Sequence, residues 1–344
     1  MTRFYLGERE IGPGLPPLVI AEIGINHEGD FAKAVRMVDD ACAADCECVK
    51  FQSHVIEDEM IPNDVVPGNA DASIWEIMSR CALSEDEERA LKEYVEGKGM
   101  IFLSTPFSRA AADRLHAMAP VAYKIGSGEC NNYPLIKHIA AFGKPVILST
   151  GMNDIESIDR AVWILKVAGV PYAVLHCTSM YPTPYDKVRL GALDELQAAF
   201  PRAVLGLSDH SLGNYTSFAA VAMGACIIEK HFVSDRSWPG PDVSLSLMPD
   251  ELADLVKGTK AIGEALRGGK GILAEERPTI DFAYACVVSI RDIAKGETLD
   301  MDNIWVKRPG TGEIPAAGFE ELLGRTAARD IPVNAQLRRG DVAA

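Results

Sequence analysis

The sequence predicts an α/β protein, a closed (β/α)8 TIM-type barrel followed by a small, mostly β domain, and three observations carry that prediction. Short apolar or β-branched runs alternate with amphipathic stretches from about residue 17 to about residue 268, the rhythm of successive βα units. The rhythm yields eight strands in roughly 250 residues, which favours a closed barrel over an open doubly wound sheet. Near residue 268 the composition changes to RGGKGILAEERPT, a Gly- and charge-rich stretch that reads as a linker. The expected boundaries are therefore 1–268 for the barrel, 269–281 for the linker and 282–344 for the second domain.

In chain order the expected strands are LVIAEIGIN (18–26), CVKFQSH (48–54), MIFLSTPF (100–107), AYKIGSG (122–128), PVILSTG (145–151), YAVLHCTS (172–179), AVLGLSDHS (203–211) and CIIEKHF (226–232). Between them lie FAKAVRMVDDACAA, EDEERALKEYVEGKG, IESIDRAVWILKVAG and PDELADLVKGTKAIGEALRGG, each with apolar residues three and four apart, as on a helix packed by one face. Gly99, Gly169 and Gly224 follow helical runs, where a left-handed C-terminal cap sits. The longest insertion, residues 55–83, follows the second strand and is expected as a loop over the barrel's top face. In the tail, ACVVSI and NIWVKRP are strand-like, KGE and PGTGE are turns, and FEELLGRTA is the one helical segment.

The net charge is 34 − 49 = −15, without the clustered positive charge that a nucleic-acid grip needs. Hydrophobic residues make up 48% and charged ones 24%, enough apolar side chain for a full core, which excludes disorder as the main state. No uncharged run is long enough for a membrane span, and MTRFYLGERE carries charges where a secretion signal would be apolar. Eight sparse cysteines read as reduced thiols, so a cytoplasmic enzyme is expected. Cys42, Cys46 and Cys48 lack a second cluster to complete a zinc pattern and read as small buried apolar residues.

In such a barrel the active site forms at the C-terminal strand ends, and there the polar residues collect. In strand order they are Glu22 with Asn26 and His27; Lys50 and Gln52; Ser104 and Thr105; Lys124, Ser127 and Glu129; Ser149 and Thr150; His176, Thr178, Ser179 and Tyr181; Ser208, Asp209 and His210; and Glu229, Lys230 and His231. Chain turning accounts for serine and threonine but not for lysine, because an ammonium in a barrel mouth is costly without an anion beside it. Lys50 and Lys124, with Ser127, Ser149 and Ser208, therefore read as a phosphate or carboxylate site. His210 and His231 end adjacent strands and can share a divalent cation, with water or a carboxylate such as Glu22 completing the set; His176 reads as a satisfied buried histidine. These residues fit metal-assisted joining of a phosphorylated carbon acid to an aldehyde, and they fit a Schiff-base aldolase using Lys50 or Lys124 nearly as well.

AEIGINHEGD (21–30), KFQSHVIEDEM (50–60), VPGNADASIWEIM (66–78), STPFSRAAADRL (104–115), YKIGSGECNNYPLIKHIAAFGKPVILSTGMN (123–153), LHCTSMYPTPYDKVRL (175–190), GLSDHS (206–211) and EKHF (229–232) closely resemble segments of bacterial sialic acid synthases. From ACVVSIRDIAKGETLDMDNIWVKRPG (285–310) onward the tail resembles the antifreeze-like (SAF) domain of that family. The resemblance implies a cytoplasmic transferase that condenses phosphoenolpyruvate with N-acetylmannosamine to N-acetylneuraminate and phosphate, for capsule or lipopolysaccharide. It implies His210 and His231 as metal ligands, with manganese the usual ion and magnesium or cobalt as substitutes. It implies Lys50, Thr105, Lys124, Ser127, Ser149 and Ser208 around phosphoenolpyruvate, and Glu22 beside the reacting carbons. Gln52, Glu129, Ser179, Tyr181 and Asp242 would face the sugar, while Phe282 and Arg308 would reach the partner's barrel in a domain-swapped homodimer. Phe51, Ser53 and Ser179 depart from the family's pattern near the sugar, which leaves a diacetamido-trideoxyhexose as the alternative acceptor, giving legionaminic or pseudaminic acid. A Schiff-base sialic acid lyase and a non-catalytic carbohydrate- or ice-binding protein are the readings from other classes.

Overall fold

The computed structural model describes residues 3–343, which fall into two compact units, Met1–Arg267 and Gly268–Ala344. The first opens with an antiparallel hairpin, β1 (Phe4–Leu6) and β2 (Arg9–Ile11). Eight parallel strands follow: β3 (Leu18–Gly24), β4 (Cys48–Ser53), β5 (Ile101–Pro106), β6 (Tyr123–Ile125), β7 (Val146–Ser149), β8 (Tyr172–Cys177), β9 (Val204–Asp209) and β10 (Ile227–His231). Their hydrogen-bonded order is β5-β4-β3-β10-β9-β8-β7-β6, a nearly closed TIM-like barrel whose ladder ends at β5 and β6.

Each expected strand is present, one to several residues shorter than its apolar run. The four expected helices form at Phe31–Ala43, Glu85–Gly97, Ile155–Ala168 and Pro249–Ala265. Asp30, Ser84 and Asp154 cap the first three by accepting backbone N–H groups, which satisfies donors that the first turn leaves free. Gly99, Gly169 and Gly224 all have positive φ, as the cap reading requires.

Side-chain alternation splits the barrel into two layers of different chemistry. Residues facing the helices, among them Val19, Ala21, Val49, Phe102, Val146, Val174, Leu205 and Ile228, form the main apolar core. Inward-facing Leu18, Ile20, Cys48, Leu103, Ile147, Leu175, Val204 and Ile227 form a second core low in the barrel, and Phe4, Leu6 and Ile11 of the hairpin close it from below. The hairpin escapes sequence reading because its strands have three residues each and the charged Gly7–Glu10 stretch, the turn and the start of β2, resembles a solvated N-terminus. Gly206 has no room for a side chain here: a Cβ would meet the Ile227 carbonyl oxygen at 2.6 Å and Leu175 at 2.9 Å.

Two expectations need correction. The insertion at 55–83 is not a bare loop, since it carries helices Ile56–Glu59 and Ile74–Cys81, the latter with a Ser73/Glu76 capping box. The stretch expected as a linker ends in a helix, Arg277–Ala283, which runs two residues past the expected boundary and bears Phe282. By itself, the second unit pairs β11 (Cys286–Ser289) antiparallel with β12 (Ile304–Lys307) over a small core of Val287, Ile293, Leu299, Ile304, Ile331 and Leu337. All eight cysteines are free, Cys46 and Cys48 being buried as expected and Cys42 half-buried. Among the described residues no helix is long and apolar enough to cross a membrane.

Candidate active site

Above the apolar layer the inward positions turn polar, because the same alternation that buries Ile20, Cys48 and Ile227 carries Glu22, Lys50, Glu229 and His231 inward at the strand ends. They line a cavity of about 280 Å³. Its walls include Glu22, Lys50, Gln52, Thr105, Lys124, Ser127, Ser149, Ser179, Tyr181, Ser208, His210, His231 and Asp242, which are all but one of the site residues expected in this unit. The exception is Glu129: it lies in a short turn after β6, accepts a hydrogen bond from Asn132 at the start of the next helix, and is not on the cavity wall. Arg308 and Phe282 belong to the second unit, where Arg308 borders an exposed groove with Lys307, Arg329 and Arg338, and Phe282 is exposed.

Both lysines are about 3% exposed or less, so their charges need partners inside the protein. Lys50 Nζ lies 2.6 Å from Glu22 Oε2 and 3.9 Å from Glu229 Oε2, and donates to Thr105 Oγ1 at 3.1 Å. Lys124 Nζ donates to Ser149 Oγ at 2.8 Å and lies 3.5 Å from Glu229 Oε1, which also accepts from Ser208 Oγ at 3.0 Å. Glu229 is thus the hub joining both ammonium groups, a role not assigned to it from sequence. Its signal was available: it has the same strand parity as His231, two residues on.

Burial disfavours charge on Lys50, but Glu22 and Glu229 outweigh that and hold its pKa above the usual lysine value. At Lys124 burial wins over the attraction of Glu229, and the pKa falls. Burial pushes Glu22 up to about 7 against the pull of Lys50, and Asp242 up to about 6 against the pull of His210. The cavity floor therefore combines two buried cations, two carboxylates and converging hydroxyls. Such a set accepts an anionic ligand by exchanging internal carboxylate contacts for ligand oxygens.

On the other wall the imidazole centroids of His210 and His231 are 5.3 Å apart, and the Tyr181 ring stacks on His210 at 4.2 Å. His210 Nδ1 donates to Thr178 O at 3.2 Å, so Nε2 carries the lone pair when the ring is neutral; burial disfavours charge on this ring, but Cys177 beside it outweighs that and raises its pKa. His231 Nδ1 is buried with no hydrogen-bond partner and lies 3.8 Å from Asp242 Oδ2. Burial, reinforced by His210 and the lysines, holds the His231 pKa well below the ordinary histidine value, so the ring is neutral. Two imidazoles, which offer lone pairs in their neutral forms, and a carboxylate nearby fit a divalent cation that displaces the proton of His210. Among the described residues no group of three or more His, Cys, Asp or Glu is placed to hold a metal ion, so an ion held by the two imidazoles would draw its remaining ligands from water or substrate. His176 is the satisfied histidine that its sequence context suggested, with Nε2 bonded to Val188 O at 2.6 Å.

The insertion after β4 supplies Pro67, Asn69, Ile74, Ile77 and Met78 to the cavity wall. Asn69 Nδ2 donates to Pro241 O at 3.1 Å and to Asp242 Oδ1 at 3.4 Å, tying this insertion to the loop after β10.

Residues 37–271 match the NeuB family profile and residues 284–343 match the SAF domain. An uncharacterized protein of Methanocaldococcus jannaschii is 40% identical, with 96% of each chain covered. The N,N'-diacetyllegionaminic acid synthase of Campylobacter jejuni is 36% identical over 91% of this chain and 96% of its own. Among solved structures, the N-acetylneuraminic acid (sialic acid) synthetase of Leptospira borgpetersenii superposes with a TM-score of 0.74 at 34% identity, covering 81% of this chain and 95% of that one.

Proposed function

The chain belongs to the NeuB family and carries a SAF domain, and on that premise we propose that it joins phosphoenolpyruvate to N-acetylmannosamine, giving N-acetylneuraminate and phosphate. The observation that carries this reading is the buried Lys50/Lys124 pair with Thr105, Ser149 and Ser208 on the floor of a cavity walled by His210 and His231. A trianionic substrate suits that floor, and a Schiff base at Lys50 does not. Lys50 is held charged by Glu22 at 2.6 Å, whereas an attacking amine must be neutral.

In the proposed reaction Lys50 and Lys124 hold the phosphate and carboxylate so that C3 of phosphoenolpyruvate faces the sugar aldehyde. A divalent cation, manganese first and magnesium or cobalt as substitutes, would be held by His210 and His231 and would polarise that aldehyde. The C3–carbon bond forms, the former aldehyde oxygen takes up a proton, and water adds to the electron-poor C2. Glu22 accepts the proton which that water gives up. The resulting hemiketal phosphate collapses to the 2-keto acid by C–O cleavage and releases phosphate. Tyr181, Gln52, Ser179 and Asp242 face the sugar.

The 36% identical relative named as a legionaminic acid synthase favours a second reading in which the acceptor is a diacetamido-trideoxyhexose. Ser179, on the cavity wall, is the position where the departure from the family's pattern noted above would act. Phosphate release from phosphoenolpyruvate and manganese, measured with N-acetylmannosamine and with each diacetamido sugar, decides between them. N-acetylmannosamine is expected to give the highest kcat/KM. A hundredfold preference for a diacetamido sugar would transfer the assignment to the second reading.

Arg308 is proposed to act in trans, bringing positive charge to the sugar in the partner's barrel within a domain-swapped homodimer. A chain truncated after residue 275 is then expected to lose at least nine-tenths of its turnover. Full activity of that truncated chain as a monomer would refute the assignment. The eight free thiols fit a reducing, cytoplasmic setting for this reaction.

A further inference from the structure

A second ion pair lies on the outer side of the two strands that carry His210 and His231, and the proposed reaction gives it no part. Asp209 of β9 and Lys230 of β10 are Cα partners across the ladder, and both side chains are wholly shut off from solvent. Lys230 Nζ lies 3.0 Å from Asp209 Oδ2 and donates to Ser211 O at 2.6 Å. Asp209 Oδ2 also accepts from Thr216 Oγ1 at 2.6 Å and Ser217 Oγ at 2.7 Å, while Oδ1 accepts from Ser211 N at 2.9 Å. The residue preceding His231 therefore grips the residues on both sides of His210.

Burying two charges carries a heavy desolvation penalty, and an apolar pair of similar volume is often as stable, so stability alone explains this arrangement poorly. What a fully bonded buried pair does supply is a single geometry. Here that geometry fixes the backbone on either side of His210 against the strand end at His231. It does so from the helix-facing side, leaving the cavity-facing edges of both rings free. Thr216 and Ser217 add the first turn of helix Tyr215–Ala222 to the same anchor.

We infer that Asp209 and Lys230 are positioning residues that set the separation and orientation of His210 and His231 for one divalent cation. This inference rests on the cation reading above. Outer residues that orient metal ligands typically change metal affinity ten- to a hundredfold when altered, without touching the ion.

The test is a Mn2+ titration of the full-length protein followed by electron paramagnetic resonance, with phosphoenolpyruvate binding measured separately without metal. The wild type is expected to bind one Mn2+. The double substitution Asp209→Asn with Lys230→Met removes both charges at nearly constant volume. It is expected to weaken Mn2+ binding at least tenfold while leaving metal-free phosphoenolpyruvate binding within twofold. Lys230→Arg, which keeps the pair charged, should hold Mn2+ affinity within about threefold of wild type. Ser217→Ala removes one donor to Asp209 with little risk to folding and should weaken Mn2+ about threefold. Unchanged Mn2+ affinity in the folded variants overturns the inference, as does parallel loss of Mn2+ and phosphoenolpyruvate binding. A wild-type chain that binds no Mn2+ overturns the cation reading and this inference with it, a pattern distinct from either.

Discussion

Lys124→Met is expected to lower kcat/KM for phosphoenolpyruvate by about a thousandfold, a loss of about 4 kcal/mol in transition-state binding, while the chain stays folded. The size follows from the position. Lys124 is fully buried at the cavity floor, fixed by Ser149 at 2.8 Å, and water cannot replace its charge there. Survival of the fold follows from Glu229, which loses one cation but keeps Lys50 at 3.9 Å and the Ser208 hydroxyl at 3.0 Å. Steady-state phosphate release together with a thermal melt separates the two effects. Activity within tenfold of wild type would remove Lys124 from the substrate's anion site.

His210→Ala and His231→Ala are each expected to reduce manganese-dependent turnover at least a thousandfold, with far-UV circular dichroism unchanged. His231 is the cleaner of the two, because its buried Nδ1 makes no hydrogen bond and its removal leaves no partner of that atom unsatisfied. His210 gives up a bond to the Thr178 carbonyl, so a somewhat lower melting temperature should accompany that variant. If either variant kept full activity with manganese, the cation would be bound elsewhere.

Much of this was legible in the chain because the barrel rests on two simple periodicities. Apolar runs placed all eight barrel strands, and the alternation within each run fixes which side chains turn inward. Lys50, Glu22, His210 and His231 could therefore be gathered to one mouth before any coordinates. The same rule, applied fully, would have separated Lys230 and Asp209 from their inward neighbours and singled out Glu229. Glu129 lies off the cavity wall because β6 ends at Ile125, and in the turn that follows its side chain accepts from Asn132. The β1–β2 hairpin and the helices within residues 56–81 were hidden by their shortness, which leaves too few residues for a period to register. Arg308 and Phe282 were named by resemblance alone, since no local pattern says which surface a side chain on a separate unit will meet.

The central claim, carbon–carbon bond formation with C–O cleavage in the mouth of this barrel, is tested most directly with phosphoenolpyruvate carrying 18O at the bridging position. Incubated with the full-length protein, manganese and the preferred amino sugar, it should yield one labelled phosphate for each nine-carbon keto acid formed. Unlabelled phosphate, or phosphate accompanied by pyruvate and no nine-carbon product, would contradict the account.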